Sequence, residues 1–381
     1  MIFSKEVLYV IVIIVNIIAL FLKKGRKFVG ILSFFVLVMI IVNLKNDVLD
    51  LYNYKVTYQN IYSREIGVQP LYYWLQIIFN NLNIDFDGFR VFCFILCMVG
   101  VYLILFKITD SFNTFALVYM MYFFFMDGEQ IRNFMASCIL VVALYFLITD
   151  EKHSLRNYVI CILIASMIHT TFIIYLCFVM LRFNLNFKKI IIRAIPIIAL
   201  FIWILFRYFN SYAQLLLLID DYRAVSYSTA KTNLGWVVPT FLYVMMLIFI
   251  YTLNKNIEKE NQCVNVIERF RFVSLGKIRR VAIKVDCSRI LSSLLDINII
   301  GLMFLPLMLG TLTFYRITKN IVFCDCVFLT AVWDYLFKSN KRLSYIKYFL
   351  WLLLIILGYC IFDFKIYNEW KNFYDCYFTT R

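Results

Sequence analysis

Long apolar runs recur along this chain, and they limit what it can fold into more than any other feature. A bilayer core of about 30 Å is crossed by about 20 helical residues that rise 1.5 Å each. Residues of the types AVILMFWYC make up 63% of the 381 positions, and charged residues make up only 16%. A soluble fold could not bury that much apolar surface. The sequence therefore predicts an all-α, polytopic integral membrane protein with about 12 transmembrane helices. The clearest runs are Val7–Leu22, Phe28–Leu44, Phe89–Phe106, Phe112–Met126, Ile131–Ile148, Tyr158–Leu181, Ile190–Phe206, Leu234–Leu253, Ile290–Leu312, Ile321–Phe337 and Ile346–Phe362.

The positive charge of the chain is concentrated between these runs. The 38 Lys and Arg residues outnumber 23 Asp and Glu residues, which gives a formal net charge of +15. Short basic clusters beside apolar runs are typical of cytoplasmic loops in membrane proteins. We therefore interpret the charge as a topology signal and expect no nucleic-acid partner. The basic cluster 23–27 follows the first run instead of preceding it, so that run is predicted to be a retained helix with its N-terminus outside.

One segment leaves the path of the chain open. Leu71–Ile84 is short and rich in Tyr and Trp. It is either a crossing or an interfacial helix on the outer leaflet, where amphipathic aromatic residues prefer to lie. The second arrangement needs a compensating turn, which the long run Tyr158–Leu181 provides if the chain reverses at His169 into two crossings of about 18 residues. Loop charges favour this second arrangement, and both arrangements give about 12 crossings.

A single polytopic domain, 1–381, is predicted from this pattern. Its outer face carries the loops 45–70 and 207–233, and its cytoplasmic face carries the basic loop 254–289. No internal repeat is visible, whereas transporters usually show two related halves.

Metal and cofactor sites are not indicated. Most of the 11 Cys residues lie inside apolar runs, and the chain has only two His residues, so no zinc spacing can be assembled. The adjacent Asp220 and Asp221 lack a recognisable third ligand. We expect the cysteines to act as small hydrophobic side chains.

Several polar residues lie within the last apolar runs of the chain. They either pair neighbouring helices or line a polar cavity, since ionisable groups within a membrane are costly unless they have such a role. They are Asp296, Asn298, Asp325 and Asp334.

The first outer loop combines aromatic and charged residues. Asp50, Tyr58, Arg64 and Glu65 lie there, ahead of the Gln69-Pro70 pair. Aromatic rings stack on the apolar faces of pyranoses, while carboxylates and guanidinium groups hydrogen-bond the sugar hydroxyls. The loop is therefore a candidate sugar-binding surface. An aromatic belt at the membrane interface is the alternative interpretation.

A charged motif opens the helix predicted after residue 130. Arg132 lies in its first turn, preceded by Glu129 and followed by Asn133. A guanidinium beside the free backbone N–H groups of a helix N-terminus binds phosphate well. The alternatives are an Arg132 side chain that extends to the lipid headgroups, or an ion pair with Glu129.

His169 and Arg316 are the remaining candidates. A lone histidine in a helix is more often a packed core residue than a catalyst, but imidazole titrates near physiological pH and suits proton transfer or phosphate contact. Arg316 and Lys319 fall at the outer end of a helix in both arrangements. Basic residues outside run against the positive-inside bias, so they indicate either an anionic ligand or contact with headgroups.

These motifs, in this order, resemble the EpsG family of Wzy-type polysaccharide polymerases. The resemblance is strongest over Glu129–Met180, where Ile131-Arg132-Asn133 precedes a helix, a short charged linker follows, and Ala165 is followed by His169. The upstream tyrosines and Phe314-Tyr315-Arg316 are similar to further family features. Two departures stand out: Asn133 replaces the usual Gln, and Gln69 replaces the Glu of a Glu-Pro element, which removes a carboxylate.

The resemblance implies an enzyme that joins undecaprenyl-pyrophosphate-linked oligosaccharide repeat units into capsular or extracellular polysaccharide. Such an enzyme is a multi-pass protein of the bacterial cytoplasmic membrane, acts at its outer face among other polysaccharide-assembly proteins, and needs no cofactor. Cations would stabilise the departing pyrophosphate, and His169, Asp50 or Glu65 would receive the proton of the acceptor hydroxyl. The alternatives are a flippase for the same lipid, or another membrane glycosyltransferase or ligase that uses a polyprenyl-linked donor. The implied catalytic residues are Arg132 and His169, and the implied substrate-binding residues are Asp50, Tyr58, Arg64, Glu65, Glu129, Asn133 and Arg316.

Overall fold

The structure is a computed structural model of the whole chain. It describes residues 5–22, 24–42, 49–63, 69–149, 153–183, 185–208, 236–258, 264–274, 277–309, 314–339 and 341–367. Fourteen α-helices are defined in these ranges: α1 (Lys5–Ala19), α2 (Arg26–Val42), α3 (Leu49–Gln59), α4 (Pro70–Asn81), α5 (Phe86–Ile108), α6 (Phe112–Val118), α7 (Phe124–Glu129), α8 (Ile131–Thr149), α9 (Ser154–Ile168), α10 (Leu185–Tyr208), α11 (Val237–Glu258), α12 (Cys287–Gly301), α13 (Tyr315–Lys338) and α14 (Arg342–Tyr367).

The helices confirm the predicted all-α membrane architecture. Within the described ranges, six helical segments are long and apolar enough to cross a bilayer: Phe86–Ile108, Ile131–Thr149, Val237–Glu258, Cys287–Met308, Tyr315–Lys338 and Leu343–Asp363. Shorter or interrupted apolar segments lie between them along the chain, so the long spans account for part of the crossings that the sequence predicts. Helix α13 is the central element, since 94% of its apolar window is buried inside the protein.

Helix α4 is too short to cross a membrane. Its 12 residues extend about 18 Å at 1.5 Å each, well short of a core of about 30 Å. The buried side chains of Tyr72 and Gln76 turn one face towards the protein, while Trp74 and Ile78 are exposed. Such a two-faced helix fits the predicted interfacial position.

The chain reverses at His169, where the sequence predicts the compensating turn. Helix α9 ends at Ile168, and a 3₁₀-helix runs from Thr170 to Arg182. Arg182 then donates a hydrogen bond of 2.6 Å to the carbonyl oxygen of Leu147, near the C-terminal end of α8. Helix α8, helix α9 and the 3₁₀-helix therefore run back and forth, and His169 lies at the same end of the bundle as the start of α8.

A β-hairpin occupies part of the predicted basic loop 254–289, which the sequence analysis had not anticipated. Strands β1 (Val264–Ser274) and β2 (Lys277–Asp286) pair antiparallel, with Val264 opposite Asp286. The predicted outer loop 207–233 lies outside the described residues, apart from the last two residues of α10.

Asp334 ties the hairpin to the helices. Its carboxylate is buried, and it accepts hydrogen bonds from Ser111 Oγ (2.9 Å), Asn265 Nδ2 of β1 (3.0 Å) and Lys338 Nζ (2.9 Å). Arg26 of α2 lies 3.8 Å away. We call this end of the bundle the hairpin end and the opposite end, where α8 and α13 begin, the Arg132 end. Asp334 thus binds elements together at the hairpin end.

Midway between the two ends, Asp325 of α13 accepts hydrogen bonds of 3.0 and 2.9 Å from Asn298 Nδ2 of α12. Asp325 and Asn298 therefore pair neighbouring helices, which is the first of the two roles that the sequence leaves open for them.

Candidate functional site

Helix α8 begins where the chain changes direction at a single residue. Helix α7 ends at Glu129, and Gln130 adopts a non-helical conformation (φ −102°, ψ 53°) before α8 starts at Ile131. The first N–H groups of a helix have no partner within it and make its N-terminus partially positive. Arg132, in this first turn, adds a full positive charge at the same place, as the sequence predicts.

The guanidinium of Arg132 is held from two sides. Its Nη1 donates a hydrogen bond of 2.6 Å to Oε1 of Gln69, the residue that precedes α4. Its Cζ lies 4.8 Å from the ring centroid of Tyr54 and 5.7 Å from that of Tyr72, within the range of cation–π attraction. The Gln-Pro element of the outer loop and the Ile-Arg-Asn element therefore meet at one place. Because Gln69 is neutral, this contact orients the guanidinium without cancelling its charge.

An amide pair joins the start of α8 to the start of α13. Asn133 Nδ2 donates to Asn320 Oδ1 at 3.0 Å, and Asn320 Nδ2 donates back to Asn133 Oδ1 at 3.1 Å. Both side chains are buried. The pair brings the N-termini of two helices side by side. Arg316, in the first turn of α13, is half-buried at the same end of the bundle.

A group of buried ionisable residues lies directly behind these helix starts. Lys319 of α13 is 1% exposed, and Asp127, Glu129 and Asp363 are buried as well. These three carboxylates and Arg316 are close enough to Lys319 to act on it electrostatically. Each of these residues is within about one or two helical turns of the end of its helix, so the group is nearer to the Arg132 end than to the centre of the bundle.

His169 lies at the C-terminal end of α9. Its Nδ1 is 2.9 Å from Thr171 Oγ1, and its ring packs edge-on against Phe172. Tyr175, further along the same 3₁₀-helix, donates a hydrogen bond of 2.8 Å to the carbonyl oxygen of Ile317 in the first turn of α13. The segment that follows His169 therefore packs against the start of the helix that carries Arg316.

Tyr58, a predicted sugar-binding residue of the first outer loop, is buried in the structure. Tyr58 is 2% exposed, donates a hydrogen bond of 2.7 Å to the carbonyl oxygen of Ile84 and stacks on Phe89. Burial, with a smaller effect of the Asp85 carboxylate, raises the pKa of Tyr58 to about 12, so its phenol stays protonated at neutral pH. Tyr58 is thus part of the packing of α3.

The acidic and basic candidates of this loop are described only in part. Asp50 lies in α3, but its side chain falls outside the described part of the structure. Arg64 and Glu65 lie outside the described residues altogether. Their predicted role in sugar binding stays a prediction.

The sequence analysis did not single out several residues that the structure brings to this end. They are Tyr54 and Tyr72, which contact Arg132, Asn320, which pairs with Asn133, and the buried Asp127 and Asp363. The sequence indicates Gln69 and Lys319, but not the contact of Gln69 with Arg132 or the burial of Lys319. Asp127 and Asp363 lie at the ends of apolar runs, where sequence alone does not distinguish them from loop residues.

The fold and this end of the bundle define a class of protein: a polytopic integral membrane protein with paired helix N-termini and arginines that can bind an anion. A family comparison then gives the particular family. The EpsG family model matches residues 27–376, nearly the whole chain, and the chain belongs to the EpsG family. This family is associated with Wzy-type polymerases. Neither the curated proteins nor the solved structures contain a match to the chain.

Proposed function

We propose that this protein joins undecaprenyl-pyrophosphate-linked oligosaccharide repeat units into capsular or extracellular polysaccharide. The growing chain is transferred from its lipid pyrophosphate carrier to a hydroxyl of the next lipid-linked unit. The donor is already activated by its pyrophosphate, so the reaction needs neither a nucleotide sugar nor a cofactor. The protein acts as a membrane-embedded glycosyltransferase.

The arrangement around Arg132 carries this proposal. A leaving pyrophosphate develops negative charge in the transition state, and preorganised donors at that position lower the barrier. Arg132 is oriented in advance by Gln69 Oε1 at 2.6 Å and by the rings of Tyr54 and Tyr72. Arg316 and the N-termini of α8 and α13 add positive potential at the same end of the bundle. Family membership supports the assignment of this end to polysaccharide polymerisation.

His169 and the outer loop complete the proposed site. His169 lies at the same end as Arg132, and we assign its imidazole to contact with substrate phosphate. Asp50, Arg64 and Glu65 belong to the outer loop that leads to Gln69, and we assign them to the hydroxyls of the oligosaccharide. Glu129 and Asn133 position the start of α8, Glu129 as the residue that ends α7 and Asn133 through its amide pair.

Charge asymmetry supports an outer-face location for the site. The hairpin end carries Arg26, Lys338 and the basic strands β1 and β2, and basic residues favour the cytoplasmic side of a bacterial membrane. The Arg132 end is then the outer face of the cytoplasmic membrane, where lipid-linked repeat units are joined. Other polysaccharide-assembly proteins of the same membrane are the expected neighbours.

The deciding experiment is deletion of the gene and its complementation. Loss of the polymerase leaves single repeat units on the lipid carrier and on the cell surface, without long polymer, and the wild-type gene restores polymer. Lipid-linked units would be detected by gel and mass spectrometry, with an added periplasmic glycosidase to report their side of the membrane. Units trapped on the cytoplasmic side would instead identify a flippase and reject the proposal.

A further inference from the structure

Lys319 is a deeply buried cation at the Arg132 end. Its side chain is 1% exposed, and its Nζ makes no hydrogen bond to any residue that the structure describes. An ammonium inside a membrane protein is costly, and such groups usually mark a binding or transfer site. The position of Lys319 within the first two turns of α13 keeps it close to the start of that helix.

Two carboxylates near Lys319 each have a buried oxygen whose hydrogen bonding the described residues do not satisfy. Asp127 Oδ2 and Asp363 Oδ1 are buried, and no described residue lies in good hydrogen-bond geometry to them, although Tyr119 is beside Asp127 and Tyr315 is beside Asp363. The other oxygen of Asp363 accepts a hydrogen bond of 2.6 Å from Tyr122. Lys319 Nζ lies 5.6 Å from the ring centroid of Tyr122, the residue that binds Asp363, and both carboxylates act electrostatically on Lys319. One ammonium and two carboxylates therefore lie near one another, each with a polar atom that no described residue satisfies.

The backbone beside these groups is irregular. Residues Tyr119–Phe123 form a single turn of π-helix between α6 and α7, and such insertions in helices are frequent at functional sites. Tyr122, within this turn, holds Asp363, and Asp127 follows four residues after the turn ends. The π-helical turn thus shapes the wall of the charged group.

The charges select the chemical class of ligand. Two carboxylates would repel a phosphate, and the ammonium would repel a metal cation. A hydroxyl suits both, because its oxygen accepts a hydrogen bond from the ammonium while its proton is donated to a carboxylate. A sugar is the ligand with hydroxyls in the proposed reaction.

We propose that Lys319, Asp127 and Asp363 bind the attacking hydroxyl of the acceptor sugar, and that Asp127 receives its proton. This inference rests on the proposed function. Tyrosines lie beside both carboxylates, Tyr119 beside Asp127 and Tyr122 beside Asp363, but only Asp127 lies on the segment that leads through Glu129 to Arg132.

The proposed step transfers one proton and exchanges one bond at the anomeric carbon of the donor. The hydroxyl oxygen forms a bond to the anomeric carbon of the donor as its proton passes to the Asp127 carboxylate. The bond from that carbon to the pyrophosphate oxygen breaks, and the pyrophosphate leaves with the bonding pair. Lys319 holds the attacking oxygen, and Arg132 and Arg316 hold the departing charge.

The test uses membrane vesicles from a strain that lacks the gene and retains its own lipid-linked repeat units. Wild-type protein or variants are expressed in that strain, and polymer formation is followed over time. A positioned general base typically contributes 10²- to 10⁴-fold, so we expect Asp127→Ala to lower the rate about 100-fold or more. Sodium formate supplies a carboxylate of the size removed from Asp127 and should restore part of the rate. Lys319→Met should be inactive and should not respond to formate.

Two controls separate this role from a structural one. Asp325→Asn alters a buried aspartate that lies about 9 Å further along the same helix than Lys319 and is hydrogen-bonded to Asn298, and this variant should polymerise at the wild-type rate. Arg132→Ala should not be rescued by formate. If a well-inserted Asp127→Ala variant is inactive and formate restores nothing, Asp127 is not the proton acceptor. If deletion abolishes polymer but Asp127→Ala and Lys319→Met polymerise normally, this inference fails and the proposed function stands. Normal polymer in the deletion strain would instead reject the proposed function itself.

Discussion

At the scale of single residues, the orientation of Arg132 depends on neutral neighbours. Gln69 accepts a hydrogen bond from its guanidinium, and Tyr54 and Tyr72 supply ring faces. A glutamine amide and two aromatic rings thus fix the direction of Arg132 without themselves supplying a carboxylate. A planar guanidinium can also offer two parallel donors to a phosphate, which a lysine cannot.

Gln69 gives a specific prediction at this scale. A hydrogen bond to a charged group contributes about 1.5–3 kcal/mol, so Gln69→Leu should lower polymer formation roughly 10- to 100-fold while membrane insertion is kept. Gln69→Glu should lower it less than Gln69→Leu does, because its carboxylate accepts the same hydrogen bond but offsets part of the charge of Arg132. Polymer yield per amount of inserted protein is the measurement. A fully active Gln69→Leu variant would show that Arg132 needs no such support.

At the scale of helices and strands, Asp334 joins parts of the chain that are far apart in sequence. Ser111, Asn265 and Lys338 donate hydrogen bonds to it, and Arg26 lies within ion-pair range. Arg26 itself donates to Thr114 and Tyr345. Since the hairpin enters this network through Asn265, the network fixes the hairpin against the bundle.

Removal of the Asp334 carboxylate should therefore destabilise the fold. Loss of one partner from a buried pair typically costs about 3–5 kcal/mol, because the remaining charge is left uncompensated. We expect Asp334→Ala to lower the free energy of unfolding by about that amount and to reduce the protein level in the membrane. Thermal unfolding in detergent is the measurement. Lys338→Ala is the matched control, since Lys338 is partly exposed and its loss should matter much less. Equal stability of Asp334→Ala and wild type would contradict the role of this network.

The sequence predicted helices far better than it predicted contacts. Apolar length alone located the spans, and the polar centre of Tyr158–Leu181 located the turn at His169. The hairpin in 254–289 was missed because its alternating basic and apolar residues also suit a solvated loop. Tyr58 was chosen for sugar binding, and the structure places Tyr54 beside Arg132 instead. Residues 54 and 58 lie about one helical turn apart on the same face of α3, so the pattern does not show which of them reaches Arg132 and which packs on Phe89 of α5.

At the scale of the whole molecule, the bundle has two chemically different ends. The hairpin end is basic and held by a saturated network around Asp334, as suits an anchored cytoplasmic face. The Arg132 end combines cations with buried carboxylates whose polar atoms are not all satisfied within the described residues. Buried ionisable groups of this kind are candidates for a functional site.

Cysteine labelling tests the orientation of these ends. In a background without reactive native cysteines, Tyr62→Cys and Leu82→Cys lie at exposed positions of the Arg132 end. A membrane-impermeant maleimide should label both in intact cells. His153→Cys and Lys284→Cys, at exposed positions of the hairpin end, should react only after the cells are permeabilised. The reverse pattern at all four positions would place the Arg132 end in the cytoplasm and exclude the proposed site from the outer face.

The most direct test of the central claim is the polymerising activity of Arg132 variants. Contacts of this kind contribute about 2–4 kcal/mol to a transition state, or roughly 30- to 1000-fold in rate. Arg182 provides the matched control, because its guanidinium binds the carbonyl of Leu147 at the opposite end of the bundle. Polymer length on a gel would be measured beside the amount of inserted protein. We expect Arg132→Ala to lose nearly all polymer, Arg132→Lys to lose much of it and Arg182→Lys to retain it. Full-length polymer from a normally inserted Arg132→Ala variant would contradict the account, because it would remove Arg132 from the site.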